Sequence, residues 1–449
     1  MSSLIVFKLG GSSVSSIGSL QHFSQRVGQN KHRPILVVVS ALSKVTDALE
    51  NYTRTILEQR RQDGEFIVAN LRVRHLQMIT QLLPGSRAPQ VAEEVGHLLT
   101  RLETLADSST EQPAALRDLI LPFGEAMSSL IVAAYLDWEH NHACTIDANK
   151  LLVTDGCFGT AEPLDAPTLA KLQTEMIPHL QAGNIIVTQG FCGATAAGES
   201  TTLGRGGSDF SATYLGALLN SSEIEIRTDT PGVLSADPRV ILNTRILRKI
   251  SHRRASSLAH FGAKVLHQRC IEPVIGTSIA VRVLSSFDPE EPGTLIGEHD
   301  EEHAFSVAHC GAWIYRFSCP LGASLESFQE AVQQLEHEPG FLGLSLVDED
   351  AFLVRSSPLT EALLQGRYFE QGESSQTATL FVMSTRLDNE LLQEVKRSLQ
   401  EGDITVSVSF IDTERGGYVL AVNEQQGQKA CILAHRSLLR LSKPTLVTS

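Results

Sequence analysis

Two short apolar runs near the start of the chain constrain its fold more than any other feature. Residues 4–7 form one run, and residues 35–39, which are apolar at every position, form the other. A strand that is apolar throughout is typical of a parallel sheet buried on both faces, since a half-exposed strand alternates polar and apolar residues. Helix-compatible sequence separates the two runs. They therefore predict a right-handed βαβ crossover and an α/β fold.

Length, charge and cysteine content limit the classes of protein to which this chain can belong. A chain of 449 residues suggests about three domains. Its 51 acidic against 37 basic residues give a formal net charge of −14, which disfavours a nucleic-acid binder. We find no signal-peptide core and no apolar stretch near the ~18 residues that cross a bilayer, so we expect no membrane association. The seven cysteines lack any paired spacing and indicate reduced thiols in the cytoplasm.

The order of the predicted elements divides the chain into an α/β part and an α+β part. Residues 47–140 are rich in Leu, Glu, Arg, Gln and Ala and predict a helical insertion. Strand signals return at 143–147, 185–189, 223–228 and 279–284, which extends the α/β domain to about residue 298.

The last third of the chain has a different pattern. It alternates short strands with amphipathic helices in an arrangement that resembles two copies of a small βαββαβ unit. The predicted strands are 304–318, 341–347, 351–355, 377–384, 404–411 and 417–423, and the predicted helices are 323–337, 388–400 and 426–439.

A first glycine cluster, K-L-G-G-S-S at 8–13, follows the first predicted strand. Without side chains at Gly10 and Gly11, the backbone could approach a ligand and donate N–H groups to phosphate oxygens, with Lys8 as a point charge. A tight turn beside a solvated lysine is the alternative.

A second cluster, T-T-L-G-R-G-G-S-D at 201–209, leads into a predicted helix. Arg205 could grip a carboxylate through two parallel hydrogen bonds, while Ser208 or Asp209 could cap the helix. An arginine among three glycines favours an anion site over a flexible loop. The common nucleotide-binding and hydrolase motifs are absent from the sequence, so they give no lead to the function.

A third cluster follows the predicted strand 223–228 and contains T-D-T-P-G at 228–232 and D-P-R at 237–239. Two turns beside two acids and an arginine suit a nucleotide and its metal, although either turn alone would be unremarkable.

Taken together and in order, these motifs resemble the aspartate kinases, a family of the amino-acid kinase superfamily, over residues 3–298. F-G-E at 123–125, followed by M-S, and F-G-A-K-V-L-H at 261–267 complete the set. The resemblance implies an amino-acid-kinase αβα sandwich. It also implies an enzyme that uses ATP and Mg²⁺ to phosphorylate the side-chain carboxylate of L-aspartate.

The resemblance also implies roles for individual residues. Lys8 would stabilise the transferring phosphoryl group, and Asp209 would orient that lysine. Arg205 would bind the α-carboxylate of aspartate and Glu125 its ammonium group, in a site that Ser40 and Thr46 line. The nucleotide would be bound by Lys8, Gly10, Gly11, Ser12, Thr228, Asp229, Leu234, Asp237, Arg239 and Lys264. No residue is assigned to a metal.

Some positions depart from the family's usual residues. The first cluster has Leu9 in place of an aromatic residue, Leu234 replaces a common tyrosine, and Asp47 replaces an asparagine. None of these changes removes a charged catalytic group, so the resemblance implies an active enzyme.

For residues 303–449 the resemblance implies two ACT-like modules and a homodimer formed through them. The loop at 320–323 is a poor match to the family's inhibitor-binding loop, so feedback inhibition is not predicted. Two alternatives stay open. One is a kinase for another acidic amino acid, such as glutamate or N-acetylglutamate, and the other is a catalytically silent paralogue that acts as a regulatory module.

Overall fold

The computed structural model describes residues 3–107, 112–261, 266–301, 304–318, 324, 326, 341–347, 350–355, 374–385, 388–412 and 416–441. The chain divides into two compact units, which are described separately. The first contains residues 1–232 and 269–298, and the second contains residues 233–268 and 299–449. The predicted domain limits placed 233–268 in the α/β domain. This segment clusters with the second unit because Ala236 and Ile241 belong to that unit's hydrophobic core.

The first unit is an α/β structure. Its strands are β1 (Ile5–Leu9), β2 (Ile35–Val39), β3 (Ala143–Thr145), β4 (Val153–Thr154), β5 (Ile185–Gln189), β6 (Cys192–Thr195), β7 (Ser200–Thr202), β8 (Glu223–Thr228), β10 (Ala280–Ser285) and β11 (Thr294–Gly297). Its helices are α1 (Gly11–Val14), α2 (Ile17–Gln29), α3 (Val45–Leu57), α4 (Arg61–Leu82), α5 (Ala88–Thr104), α6 (Pro113–Ile120), α7 (Phe123–His140), α8 (Asp165–Lys171), α9 (Ile177–Gln181) and α10 (Gly207–Leu218).

The main sheet of this unit has the strand order β3-β5-β2-β1-β8-β10-β11. Neighbouring strands are parallel from β3 to β10, and β11 pairs antiparallel with β10. The predicted strands 35–39, 185–189 and 223–228 match β2, β5 and β8 residue for residue. All five side chains of β1 and of β2 are buried. The expectation of a parallel sheet covered on both faces is confirmed.

A second, smaller sheet was not predicted from the sequence. It joins β4, β6 and β7, which are two to four residues long. Strands this short carry too few residues for a recognisable alternation of polar and apolar positions.

The segment predicted as a helical insertion forms α3 to α7. On α5 the side chains of Val91, Val95, Leu99 and Leu102 form one buried apolar face. The 28 residues Pro113–His140, which form α6 and α7, are long and apolar enough to cross a membrane, contrary to the sequence expectation that no stretch is. Within the fold, 72% of the most apolar window of this segment is buried.

The second unit combines β9 (Lys249–Ser251) and α11 (His252–His260) with an antiparallel α+β layer. The strands of this layer are β12 (Phe305–Ser318), β13 (Phe341–Val347), β14 (Asp350–Arg355), β15 (Ser374–Ser384), β16 (Val406–Asp412) and β17 (Gly417–Asn423). Its helices are α12 (Asn389–Glu401) and α13 (Gly427–Leu441). The six strands form one sheet in the order β13-β14-β12-β15-β17-β16.

This layer confirms the predicted strands and the last two predicted helices of the C-terminal region to within about three residues. Val395 and Leu399 of α12 and Ala430 and Ala434 of α13 are buried in its core. The predicted helix 323–337 and the loop 320–323 lie outside the described residues, apart from positions 324 and 326.

Candidate active site

A cavity of about 340 Å³ lies at the carboxyl ends of β1 and β2. In open α/β sheets this is the edge where ligands bind, because loops and helix N-termini converge there. The cavity brings together seven of the residues that sequence analysis assigned to the site: Lys8, Gly11, Ser40, Thr46, Glu125, Arg205 and Asp209. Lys8 and Arg205 are far apart in sequence, yet both line this one cavity.

Lys8 sits on β1, a central strand that pairs in parallel with β2 and β8. Its side chain is 9% exposed, and its Nζ lies 2.5 Å from Oδ1 of Asp209. Asp209 belongs to the first turn of α10, where the helix dipole favours a negative charge. The ion pair therefore holds the ammonium group at the cavity wall in a defined orientation.

The glycine turn after β1 differs in one respect from its predicted role. The N–H of Gly10 donates to the carbonyl of Arg227 at 3.1 Å, so in this structure it is not available to a phosphate oxygen. A Cβ at Gly10 would lie 3.4 Å from Nζ of Lys8, and one at Gly11 would lie 3.0 Å from the carbonyl of Ala41. A side chain at Gly11 would therefore crowd the backbone of the neighbouring loop, and one at Gly10 would also lie 3.3 Å from the carbonyl oxygen of Arg227. Ser12 is half-buried but does not line the cavity.

Glu125 is a buried carboxyl group at the start of α7. Burial raises its pKa to about 8, although a backbone hydrogen bond from Ala41 and the charge of Lys8 oppose the increase. Its Oε2 has no hydrogen-bond partner among the described residues. An unsatisfied buried acceptor that lines a cavity fits a ligand that supplies a hydrogen-bond donor.

Arg205 is an exposed residue on a loop whose backbone conformation requires the neighbouring glycines. Gly204 and Gly206 have φ angles of 75° and 74°, which a residue with a Cβ rarely adopts. A Cβ at Gly207 would lie 2.9 Å from the ring of Phe191. These glycines turn the chain from β7 into α10, with the guanidinium of Arg205 at the cavity.

Asp118 on α6 anchors this loop, and sequence analysis did not identify it. It is fully buried, and its Oδ2 accepts hydrogen bonds from the N–H groups of Thr202 and Gly159, both at 2.7 Å. The hydroxyl of Thr202 donates to its Oδ1 at 2.6 Å. Little in the sequence indicated this role, because a single acidic residue in the helix P-A-A-L-R-D-L-I is expected to face solvent.

Arg269 holds the same loop from another side. Its Nη1 donates to the carbonyl of Leu203 at 2.7 Å, and its Nη2 lies 2.8 Å from Oε1 of Glu162. The guanidinium also lies over the ring of Phe210, 4.6 Å from the ring centroid. Asp118 and Arg269 thus fix the two residues that precede Gly204.

The residues predicted for the nucleotide are not among those that line the cavity, apart from Lys8 and Gly11. Thr228 and Asp229 follow β8, where the Thr228 hydroxyl donates to Asp229 at 3.1 Å. Leu234, Asp237 and Arg239 belong to the second unit. There Arg239 donates two side-chain hydrogen bonds to Asp237, at 3.0 and 2.5 Å. Lys264 lies outside the described residues.

Ten further residues line the cavity, and the sequence analysis did not assign them to the site. They are Ala41, Leu42, Ser43, Lys44, Asp47, Phe191, Gly204, Gly206, Gly207 and Ser208. Most of them are neighbours of predicted residues in the same two loops.

Comparisons with known proteins agree with the sequence motifs. The amino acid kinase family matches residues 3–285. Lysine-sensitive aspartokinase 3 of Escherichia coli is 35% identical over 299 residues, which cover 66% of this chain and 64% of that enzyme. The aspartokinase of Chlamydia muridarum is 32% identical over 345 residues, which cover 75% of each chain.

Two solved structures have the same fold. The structure of E. coli aspartokinase III in complex with aspartate and ADP has a TM-score of 0.81 at 24% identity and covers 97% of this chain and 100% of that one. Aspartate kinase of Clostridium acetobutylicum has a TM-score of 0.72 at 20% identity, with coverage of 97% and 100%. The amino-acid-kinase fold predicted from the sequence is confirmed. The chain belongs to the amino acid kinase family and, within it, to the aspartokinases.

Proposed function

We propose that this chain transfers the γ-phosphoryl group of ATP to the side-chain carboxylate of L-aspartate in the cavity described above. The observation that carries the proposal is the presence of Lys8, Arg205 and Glu125 in one cavity. A phosphoryl donor and an acidic acceptor are both anions, and their reaction needs positive groups that align them and stabilise the charge. The relatives named above are aspartokinases, which supports aspartate as the acceptor.

The acceptor needs no general base. A carboxyl group with a pKa of about 4 is already ionised at pH 7, so its oxygen can attack phosphorus without losing a proton. The cavity fits this chemistry, since its charged groups are lysine, arginine and carboxylates. Lys8 stabilises the charge that spreads over the transferring phosphoryl oxygens, and Asp209 holds Lys8 in place.

The same cavity offers complementary partners for the amino-acid end of the substrate. Arg205 presents a planar guanidinium that matches a carboxylate with two hydrogen bonds. Glu125 offers Oε2 to the substrate ammonium group, and Ser40 and Thr46 supply hydroxyl groups. This assignment gives each charged group of aspartate other than the attacking carboxylate a partner of opposite charge.

In this proposal Mg²⁺ binds together with the nucleotide phosphates. Among the described residues no group of three or more metal-ligating side chains is found. A dedicated cage is not required, because Mg²⁺ is usually held by one or two carboxylates, substrate phosphates and water. Asp209, the cavity carboxylate that is paired with Lys8, would be the residue to hold Mg²⁺. When bound, the metal would neutralise phosphate charge.

For nucleotide binding we propose Gly10, Gly11, Ser12, Thr228, Asp229, Leu234, Asp237, Arg239 and Lys264 alongside Lys8. Gly10 would act by letting the backbone lie close to the carbonyl of Arg227, to which its N–H is already bonded. We further propose a cytoplasmic homodimer whose C-terminal regions are ACT-like modules, with no nucleic-acid or membrane partner.

The proposal is tested by measuring ADP release with L-aspartate, L-glutamate and N-acetyl-L-glutamate as acceptors. We expect turnover with aspartate and at least tenfold lower kcat/KM with the others. Arg205→Ala should raise the KM for aspartate by roughly 10- to 1000-fold, because it removes both hydrogen bonds of a bidentate charge pair with the substrate carboxylate. Arg54→Ala, which removes an exposed arginine on α3, is the matched control. Turnover with glutamate alone, or no turnover at all, would contradict the proposed function.

A further inference from the structure

Lys44 lines the cavity but has no role in the mechanism proposed above. It precedes α3 with a φ angle of 67°, in the left-handed region. That conformation is unfavourable for a residue with a Cβ, and glycine or asparagine is the usual occupant. Strained backbone positions that persist at ligand sites are often kept for function. A lysine held in this conformation at a cavity wall therefore calls for an explanation.

The charge of Lys44 is only weakly compensated by the protein. Its Nζ lies 3.8 Å from Oδ2 of Asp47, and the two side chains are 79% and 72% exposed. An exposed pair at this distance contributes little free energy, so a ligand carboxylate can replace Asp47 at small cost. Lys8, by contrast, is held by Asp209 at 2.5 Å in a largely buried environment. Lys44 is thus the lysine of this cavity that is free to turn toward a substrate.

The position of Lys44 along the chain also favours the amino-acid substrate over the nucleotide. It lies between Ser40 and Thr46, and all three residues line the cavity together with Glu125 and Arg205. These are the groups assigned above to aspartate. We infer that Lys44 is a further substrate-binding residue, whose ammonium group donates hydrogen bonds to a carboxylate of the acidic amino acid at the mouth of the cavity. The inference rests on the proposed function and deepens it.

The experiment replaces Lys44 by residues that suit the left-handed conformation. In Lys44→Gly and Lys44→Asn we expect the KM for aspartate to rise by about 3- to 10-fold, as is typical for one exposed charge contact. The KM for ATP should change by less than about twofold. Lys44→Arg should retain most of the aspartate affinity, because it keeps the charge. At about 0.5 M salt the difference between variants and wild type should shrink, since salt screens exposed charges.

Stability provides an independent readout. Relief of the left-handed strain in Lys44→Gly offsets the greater freedom of glycine in the unfolded chain. We therefore expect its melting temperature to stay within about 2 °C of wild type or to exceed it. Gln59→Gly is the matched control, since Gln59 also has a positive φ, 55°, and does not line the cavity. It should leave the KM for aspartate unchanged.

The possible outcomes separate this inference from the proposed function. If wild type turns over aspartate and neither Lys44→Gly nor Lys44→Asn raises its KM, the inference is wrong while the function stands. If the KM for aspartate rises in Lys44→Gly but not in Lys44→Asn, the effect comes from backbone freedom, and the inference about Lys44 is wrong. If only the KM for ATP rises, Lys44 acts at the nucleotide, and the inference that it binds the amino acid is wrong. If calorimetry detects no aspartate binding to wild type and the assay no turnover, both fail.

Discussion

Two buried ionisable side chains, Lys8 and Glu125, define the chemistry of the cavity at the scale of single residues. Lys8 is charged and held by Asp209, whereas burial keeps Glu125 largely protonated at pH 7, because its pKa is about 8. A neutral Glu125 avoids the cost of an unpaired buried charge until a cation binds. The site is therefore prepared for a substrate that carries both negative and positive groups.

Removal of the Lys8 ammonium group should mainly slow the chemical step. We predict that Lys8→Ala lowers kcat at least roughly 100-fold, because it deletes a charge that stabilises the transition state. Steady-state kinetics at saturating ATP and aspartate measures the effect. Lys31→Ala removes an exposed lysine between α2 and β2 and should have normal kinetics. A rate within tenfold of wild type in Lys8→Ala would refute the role given to this residue.

Glu125 should make aspartate binding depend on pH. Because burial raises its pKa to about 8, the group is mostly neutral at pH 7 and ionises as the pH rises through 8. Only the ionised form attracts the substrate ammonium group strongly, so the KM for aspartate should fall several-fold between pH 7 and pH 9. Calorimetry at pH 7 in buffers of different ionisation enthalpy should detect proton release on binding. In Glu125→Gln both the pH dependence of KM and the proton release should disappear, and their persistence would contradict this role.

At the scale of secondary-structure elements, the anion-binding loop depends on contacts from other elements. The glycines at 204, 206 and 207 let the chain turn between β7 and α10, but they do not by themselves select one conformation. Asp118 on α6 and Arg269 supply the hydrogen bonds that do so. Buried charge networks of this kind are strongly destabilised when one partner is lost.

We predict that Asp118→Asn raises the KM for aspartate more than the KM for ATP. An amide at this position removes the negative charge that strengthens the hydrogen bonds from Thr202 and Gly159, and its NH2 group cannot accept the bond that the Thr202 hydroxyl donates to Oδ1, which loosens the loop that carries Arg205. Hydrogen exchange at the amides of residues 203–206 should become faster in the variant. Thr202→Ser keeps the hydroxyl bond and serves as the control, whereas Thr202→Val removes it and should have a weaker effect of the same kind. Equal changes in both KM values would indicate a general loss of structure instead.

At the scale of the whole molecule, the second unit presents a sheet whose two edges have no partner strand within the described part of the chain. The edge strands are β13 and β16, and Ile411 on β16 is 41% exposed. An open edge with exposed apolar residues readily pairs with another chain. This supports the proposal of a homodimer through the C-terminal region.

Light scattering at micromolar concentration should give about twice the mass of one chain. Ile411→Lys should weaken the dimer at least about tenfold, because it places a charge on the edge strand. Phe66→Lys, which changes an exposed aromatic residue on α4, is the control and should leave the mass unchanged. A monomeric wild type would contradict the dimer, and dissociation by Phe66→Lys alone would move the contact to the helical insertion.

The order and type of most elements could be predicted because they follow from local patterns. Short apolar runs rich in β-branched residues, such as Ile35–Val39, indicate buried strands, and the glycine clusters mark the turns after β1 and before α10. Lys8, Arg205 and Asp209 attracted attention because their motifs lie next to such turns, whereas Glu125 was assigned only through the resemblance to the aspartate kinases. A resemblance to aspartate kinases rested on the same short segments.

What the sequence could not reveal are contacts between segments that are distant along the chain. Asp118 lies 84 residues from its partner Thr202, and the N–H of Gly10 bonds to a carbonyl on β8. The left-handed backbone of Lys44 at the start of α3 was likewise not indicated by the sequence. The sequence alone determined which chemical groups the protein could use for catalysis, because residue type fixes those groups. The periodicity of apolar residues indicated the strands and helices that carry them. Tertiary structure decided which of those groups meet, because hydrogen bonds and ion pairs depend on distances in space.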